Sequence, residues 1–263
     1  MTFTDGSFVR VQENGAVHDG VVVGEVIALL ARAHHPETST GRSLPLAGAA
    51  LVAPVSPSKV VGVGRNYRAH VTEMGMTVPD RPSVFLKPPS AVCGPADPIL
   101  LHPYSATADV WFEAELALVI GRHVRHVSEA DALDYVVGYT GANDVSARDL
   151  QGNGHGITLA KGQDTFCPLG PSIVPFTGDE PIRIRCWIND ELRQDCGSDE
   201  LVFGFRQIVS FVSGFMTLLP GDVILTGSPA GSGPLFDGDI VRIAVGGAGS
   251  LTNPVRATVG AAE

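Results

Sequence analysis

Apolar and polar positions change places over short runs along most of the chain, and the runs have the length of strands. Phe8-Val9-Arg10-Val11-Gln12 and Ile182-Arg183-Ile184-Arg185-Cys186-Trp187-Ile188 alternate as half-buried strands should. Val21-Val22-Val23, Lys59 to Gly64, Ser83 to Lys87, Ile99-Leu100-Leu101, Trp111 to Ile120, Tyr135 to Gly141, Val223-Ile224-Leu225 and Asp239 to Val245 predict further strands. Asn189-Asp190 predicts a hairpin turn after the 182–188 run. Helical spacing is rarer. Phe205, Ile208, Val209, Val212 and Met216 predict an amphipathic helix over 205–216. Val26, Ile27, Leu29 and Leu30 predict a short helix over 25–33, stopped by His34-His35-Pro36. Ser128-Glu129-Ala130-Asp131 has the form of a helix start.

These elements define an α+β chain rich in strands. Short strands separated by Gly/Pro turns imply a rolled or sandwiched sheet. Residues 1–53 read as a small N-terminal α/β domain. Ala53-Pro54-Val55-Ser56-Pro57 reads as a linker, and residues 54–263 form the main domain.

Composition narrows the function classes. The 263 residues hold one sizeable core, and 31 Gly and 19 Pro favour turns over a helical bundle. Net charge is -10 and Lys and Arg form no basic face, so nucleic acid is not an expected partner. No apolar run approaches membrane-spanning length, so no membrane partner is expected. The N-terminal residues lack the pattern of a signal peptide, and the four cysteines show no CxxC spacing. Both point to a reduced, cytoplasmic protein without a zinc site.

Candidate chemistry begins at Glu113-Ala114-Glu115, set in an otherwise apolar strand. Residues two apart share a face of a strand, so the two carboxylates project together. Carboxylates that close repel unless one is protonated or a cation lies between them. A hard divalent ion, Mg²⁺ or Mn²⁺, is the simplest remedy. An isolated E-x-E is more often two surface glutamates, so the weight comes from the rest of the chain. His70 and Glu73 are three apart and share a face of a helical turn, either as a hydrogen-bonded pair or as a solvated one. Gly62-Val63-Gly64 lacks the third glycine of a dinucleotide fingerprint, and Ser228 sits in no G-x-S-x-G elbow.

Five ordered motifs carry a resemblance. They are Val61-Gly62-Val63-Gly64-Arg65-Asn66-Tyr67-Arg68-Ala69-His70, Phe85-Leu86-Lys87-Pro88, Glu113-Ala114-Glu115-Leu116, Asn143 to Gln151, and Pro220 to Pro229. Over residues 59 to about 258 the chain resembles the fumarylacetoacetate hydrolase superfamily. Within it the chain most resembles the branch of acylpyruvate hydrolases, oxaloacetate decarboxylases and 2-hydroxyhepta-2,4-diene-1,7-dioate isomerases. The resemblance implies a rolled, strand-rich fold, a homodimer, and Mg²⁺ or Mn²⁺ held by Glu113, Glu115 and Asp144. It implies a catalytic His70–Glu73 dyad on a short helix in a lid, and Lys161 near the substrate. It further implies that Arg65, Tyr67, Arg148, Gln151 and Ser228 bind substrate. For Arg148 and Gln151, a structural salt bridge and a loop amide remain open as alternatives.

Two departures stand out. Ser228 occupies a position where many relatives carry Thr, which keeps a hydroxyl. Lys161-Gly162-Gln163-Asp164 has Gly and Gln where relatives have Ser and an aromatic residue, which bears on pocket shape. The activity implied is metal-dependent hydrolysis of a C–C bond in a small 1,3-diketo acid. The alternative is a decarboxylase or isomerase acting on a related 2-oxo acid.

Overall fold

The computed structural model of the chain describes residues 3–102, 109–151, 156–176 and 180–258. Its centre is the strand Ala114–Ile120, in which all seven residues are buried. Leu116, Leu118 and Ile120 enter one apolar cluster, while Ala117 and Val119 enter another on the opposite face. The strand is therefore covered on both sides, which explains its nearly continuous apolar run.

Val136–Asn143 and Val223–Leu225 flank it, both antiparallel. Beyond Val223–Leu225 lie Val60–Gly64, paired parallel, and then Ser83–Lys87. On the other side, Cys167–Val174 pairs with Val136–Asn143. A second sheet runs Glu191–Gly197, Arg183–Ile188, Ile240–Val245, Ser250–Ala257 and Ile99–Leu101. Its inward residues Ile184, Cys186, Ile243, Val245 and Leu251 share the larger cluster with Leu116 and Leu118. The predicted 205–216 helix forms as Phe205–Phe215, with Ile208, Val209 and Val212 buried. The predicted hairpin turn at Asn189 forms with Asn189 at φ 55°.

The N-terminal segment differs from its sequence reading. The helix expected over 25–33 is the strand Val26–Leu30, hairpinned to Ala16–Val23 through Gly24 at φ 57°. A short apolar run satisfies both periods, and five residues are too few for a packed helix. Pairing decides the matter, and Ile27 and Leu29 turn inward together. The only helical turn described in this segment is the 3₁₀ turn Pro36–Thr38. The segment is thus a β meander and not α/β. Its strand Phe8–Glu13 pairs with Cys167–Val174 at Phe8↔Ile173, so the meander extends the central sheet.

The helix start expected at Ser128 is a turn. The Asp131 N–H donates to Ser128 Oγ, Ser128 Oγ–H donates to the Asp131 carboxylate, and only the 3₁₀ segment Ala132–Tyr135 follows. The four cysteines are buried and free, consistent with thiols that pack. No helix among the described residues is long and apolar enough to cross a membrane.

Candidate metal centre and active site

Three carboxylates meet at one end of the central strand. Val110–Phe112 ends, Glu113 interrupts, and Ala114–Ile120 begins. Two side-chain amides support the interruption. The Glu113 N–H donates to Asn143 Oδ1 at 2.9 Å, and the Ala114 N–H donates to Gln194 Oε1 at 3.0 Å. Asp144 follows directly on the strand that pairs with Ala114–Ile120 in the register Ala114↔Asn143. Its N–H donates to the Glu113 carbonyl at 2.9 Å. One ladder step therefore brings Asp144 to Glu113, and the pleat brings Glu115 to the same face. Oxygen atoms of Glu113, Glu115 and Asp144 lie within 4.8 Å of one another, and all three residues are buried.

Their electrostatics differ. Burial alone would raise the Glu113 pKa, but the Lys161 ammonium and the Arg148 guanidinium hold it down at about 2. Glu113 Oε2 accepts from Lys161 Nζ at 2.8 Å, and Arg148 Nη2 donates to Oε1. Burial, then Asp144 and Glu113, push Glu115 well above the carboxylate range. Against this stands the Gly227 N–H, which donates to Glu115 Oε2 at 2.6 Å. Gly227 has φ 108°, and a Cβ there would lie 2.8 Å from the Asn66 Cβ, so a side chain would displace this donor. Burial works against the Lys161 charge, yet Asp144 and Glu113 keep its pKa raised.

These residues fit a divalent cation. Glu115 is a buried carboxylate destabilised by two anionic neighbours, and a positive ion among the three oxygens would reverse that repulsion. The donor set is all oxygen, which suits Mg²⁺ or Mn²⁺.

A cavity of about 450 Å³ opens over the carboxylates. His70, Arg65, Arg148, Gln151, Lys161 and Ser228 line it together with Glu113, Glu115 and Asp144. Val63, Val71, Met74, Met76, Val84, Phe85 and Ile157 supply its apolar wall. That size and mixture suit a small molecule. His70 is carried by the helix Arg68–Glu73, and its Nδ1 lies 3.3 Å from Glu73 Oε2. A carboxylate accepts, so Nδ1 carries a proton, which in the neutral ring leaves the lone pair on Nε2. Glu73 stands behind His70 and not on the cavity wall, and it also accepts the Gly231 N–H at 3.2 Å.

Arg65 has φ 58°, a left-handed backbone that an arginine adopts only where its surroundings impose it. Arg148 is engaged by Glu113 and by Gln151 Oε1 at 3.0 Å, and it sits over the Trp111 ring at 5.2 Å. Its fork is thus committed to the protein, while its Nε has no partner among the described residues. Tyr67 does not line the cavity; it is 1% exposed and belongs to the main apolar cluster. Burial raises its phenol pKa, with Glu115 among the smaller contributors.

Sequence reasoning gave no role to Lys87. It is fully buried, and its Nζ donates to Asp144 Oδ1 at 2.5 Å and to the Val145 carbonyl at 3.1 Å. A lysine closing an apolar strand just before a proline was the available signal. Asn143 and Gln194 carried no signal, because their work is to satisfy backbone amides.

The chain is similar to known proteins over most of its length. The model of the fumarylacetoacetate (FAA) hydrolase C-terminal family matches residues 59–256, and an N-terminal model described as Rv2993c-like matches residues 7–54. A Xenopus laevis protein named mitochondrial oxaloacetate tautomerase fahd2 is 43% identical, over 78% of this chain and 68% of its own. The solved 5-carboxymethyl-2-hydroxymuconate delta-isomerase of Mycobacterium smegmatis superposes with a TM-score of 0.88 at 43% identity, covering 96% of this chain and 100% of its own. The maleylpyruvate hydrolase of Sphingobium sp. SYK-6, solved with manganese(II) and pyruvate, gives a TM-score of 0.80 at 31% identity, with the same coverage. The strand-rich fold is that of an enzyme superfamily, and the chain belongs to the fumarylacetoacetate hydrolase family.

Proposed function

We propose that the chain hydrolyses a C–C bond in a small 1,3-diketo acid of the acylpyruvate type, with Mg²⁺ or Mn²⁺ held by Glu113, Glu115 and Asp144. The observation that carries this reading is that the His70–Glu73 pair and the three carboxylates serve one cavity. The manganese and pyruvate in the maleylpyruvate hydrolase support the same assignment of ion and product class. The ion would supply Lewis acidity to the oxygens of the 2-oxo acid.

The protein's own groups account for the proton transfers. His70 Nε2 takes a proton from water, and Glu73 holds the ring and steadies its charge. The hydroxide adds to the distal carbonyl carbon. The bond between that carbon and the methylene of the pyruvate portion then breaks, and its electron pair passes into the enolate of pyruvate. His70 returns its proton to that fragment, so one water is consumed and an acid and pyruvate leave. Lys161, buried beside the carboxylates, would balance negative charge as it develops. Arg65 and Ser228 would hold the substrate's polar ends, and Val71, Met74 and Met76 its acyl chain.

A second reading rests on the same dyad. A histidine that can take and return one proton also serves tautomerisation or isomerisation of a 2-oxo acid, and the tautomerase and isomerase names of relatives 43% identical favour it. The test is chelator-stripped protein offered acetylpyruvate, fumarylpyruvate and oxaloacetate with and without Mn²⁺. Mn²⁺-dependent release of pyruvate from a diketo acid supports hydrolysis. Loss of the oxaloacetate enol absorbance without pyruvate release moves the assignment to a tautomerase. Pyruvate from oxaloacetate alone moves it to a decarboxylase.

A further inference from the structure

Gln194 lies in the strand Glu191–Gly197, is 1% exposed and does not line the cavity. Its amide nevertheless touches both halves of the site. Oε1 accepts the Ala114 N–H at 3.0 Å, and Nε2 donates to the Pro229 carbonyl at 2.7 Å and to Ser228 Oγ at 3.0 Å.

The first contact fixes the backbone between Glu113 and Glu115. On one side Ala114 is registered with Asn143. On the other side the Val223–Leu225 ladder reaches only Ala117 to Val119. The Ala114 amide is therefore beyond that ladder and buried, and Gln194 is its acceptor. A buried N–H without an acceptor drives the chain to shift, and here a shift would change the spacing of two carboxylates.

The second contact sets the sense of a hydrogen bond. Ser228 lines the cavity and is 5% exposed. Its oxygen accepts from Gln194, so its own proton must point elsewhere. Among the described residues that proton reaches only the Pro229 carbonyl, at 3.4 Å. A substrate oxygen in the cavity offers a shorter bond.

We propose that Gln194 is a positioning residue whose single amide seats the Glu113–Glu115 backbone and fixes Ser228 as a hydrogen-bond donor to the substrate. The first half depends only on the carboxylate cluster; the second rests on the proposed 2-oxo acid reading. The test uses Gln194→Met, which keeps volume and removes all three bonds, and Gln194→Glu, which keeps an acceptor for Ala114 and loses the amide donor. Calorimetry on the chelator-stripped, full-length protein should show Mn²⁺ binding about 10-fold weaker in Gln194→Met, with a smaller loss in Gln194→Glu. Both should raise KM more than they lower kcat. Ser228→Ala should raise KM to a similar degree, and the Gln194→Met/Ser228→Ala pair should go no further than the larger single effect.

A purely structural glutamine would behave like Val209→Ala in the Phe205–Phe215 helix, losing stability with Mn²⁺ affinity and KM unchanged. Wild-type Mn²⁺ affinity in Gln194→Met, or KM effects that multiply in the double variant, would overturn the proposal. Should Gln194→Met not fold, Gln194→Glu decides the second half against Ser228→Ala, and equal Mn²⁺ affinity in Gln194→Glu and Gln194→Ala overturns the first. Wild-type protein that turns over no oxo acid overturns the proposed function and leaves the calorimetry to decide the first half. Wild-type protein that binds no Mn²⁺ overturns both.

Discussion

The N–H of Asp144 donates to the carbonyl of Glu113 at 2.9 Å. That one backbone bond joins two acidic positions far apart in sequence and gives the site its third carboxylate. It exists because the strand Val136–Asn143 pairs with Ala114–Ile120 in a register set by buried side chains on both faces.

Removing a carboxylate should remove the ion. Glu115→Ala should abolish Mn²⁺ binding in calorimetry, because two oxygen donors do not retain a hard cation against water. The fold should persist, since Glu115 opposes its own burial. Unchanged stoichiometry would refute the ligand assignment.

Stability of the chelator-stripped protein should depend on pH in a defined sense. The folded pKa of Glu115 is raised, so between its ordinary value of 4.5 and that raised value the native state holds a proton the unfolded chain has released. Stability therefore falls as pH climbs through this window. Glu113 acts oppositely: its pKa is held at about 2, so its contribution is present above 4.5 and is lost as pH drops towards 2. Thermal melts with chelator should show a decline above pH 4.5 that Glu115→Gln flattens.

His70→Ala should lower kcat by about 10²- to 10⁴-fold, the usual worth of a positioned acid–base group. Mn²⁺ affinity should stay near wild type, since His70 is not among the three carboxylates. Glu73→Gln should fall between, because an amide oxygen can still accept the Nδ1 proton. Equal kinetics for His70→Ala and wild type would refute the dyad.

The core can be tested away from the chemistry. Leu118 is wholly buried in the central strand, so Leu118→Ala should cost about 2–5 kcal/mol in denaturant unfolding. Leu86, 45% exposed on Ser83–Lys87, should cost far less on the same change.

The paired glutamates, the His70–Glu73 spacing, most strand positions and the 205–216 helix could be read from the chain, because each depends on a local period. The motifs around them brought the family within reach as well. Local period failed at Val26–Leu30, where a short apolar run fits either a helix or a strand and the neighbouring strands chose. It also gave no role to Lys87, whose charge is explained only by Asp144 beside it. Arg148 could be read as a substrate fork or as a structural salt bridge, and only folding shows it bonded to Glu113 and Gln151 on the cavity wall. Tyr67 read as a cavity residue and lies in the core. The sequence alone determined which side chains were candidates for the chemistry, since that depends on side-chain type. How close the three carboxylates come, which lysine faces which acid and which amide holds the strand break open were decided by tertiary structure. Those depend on register between distant strands and on satisfying every buried polar group at once.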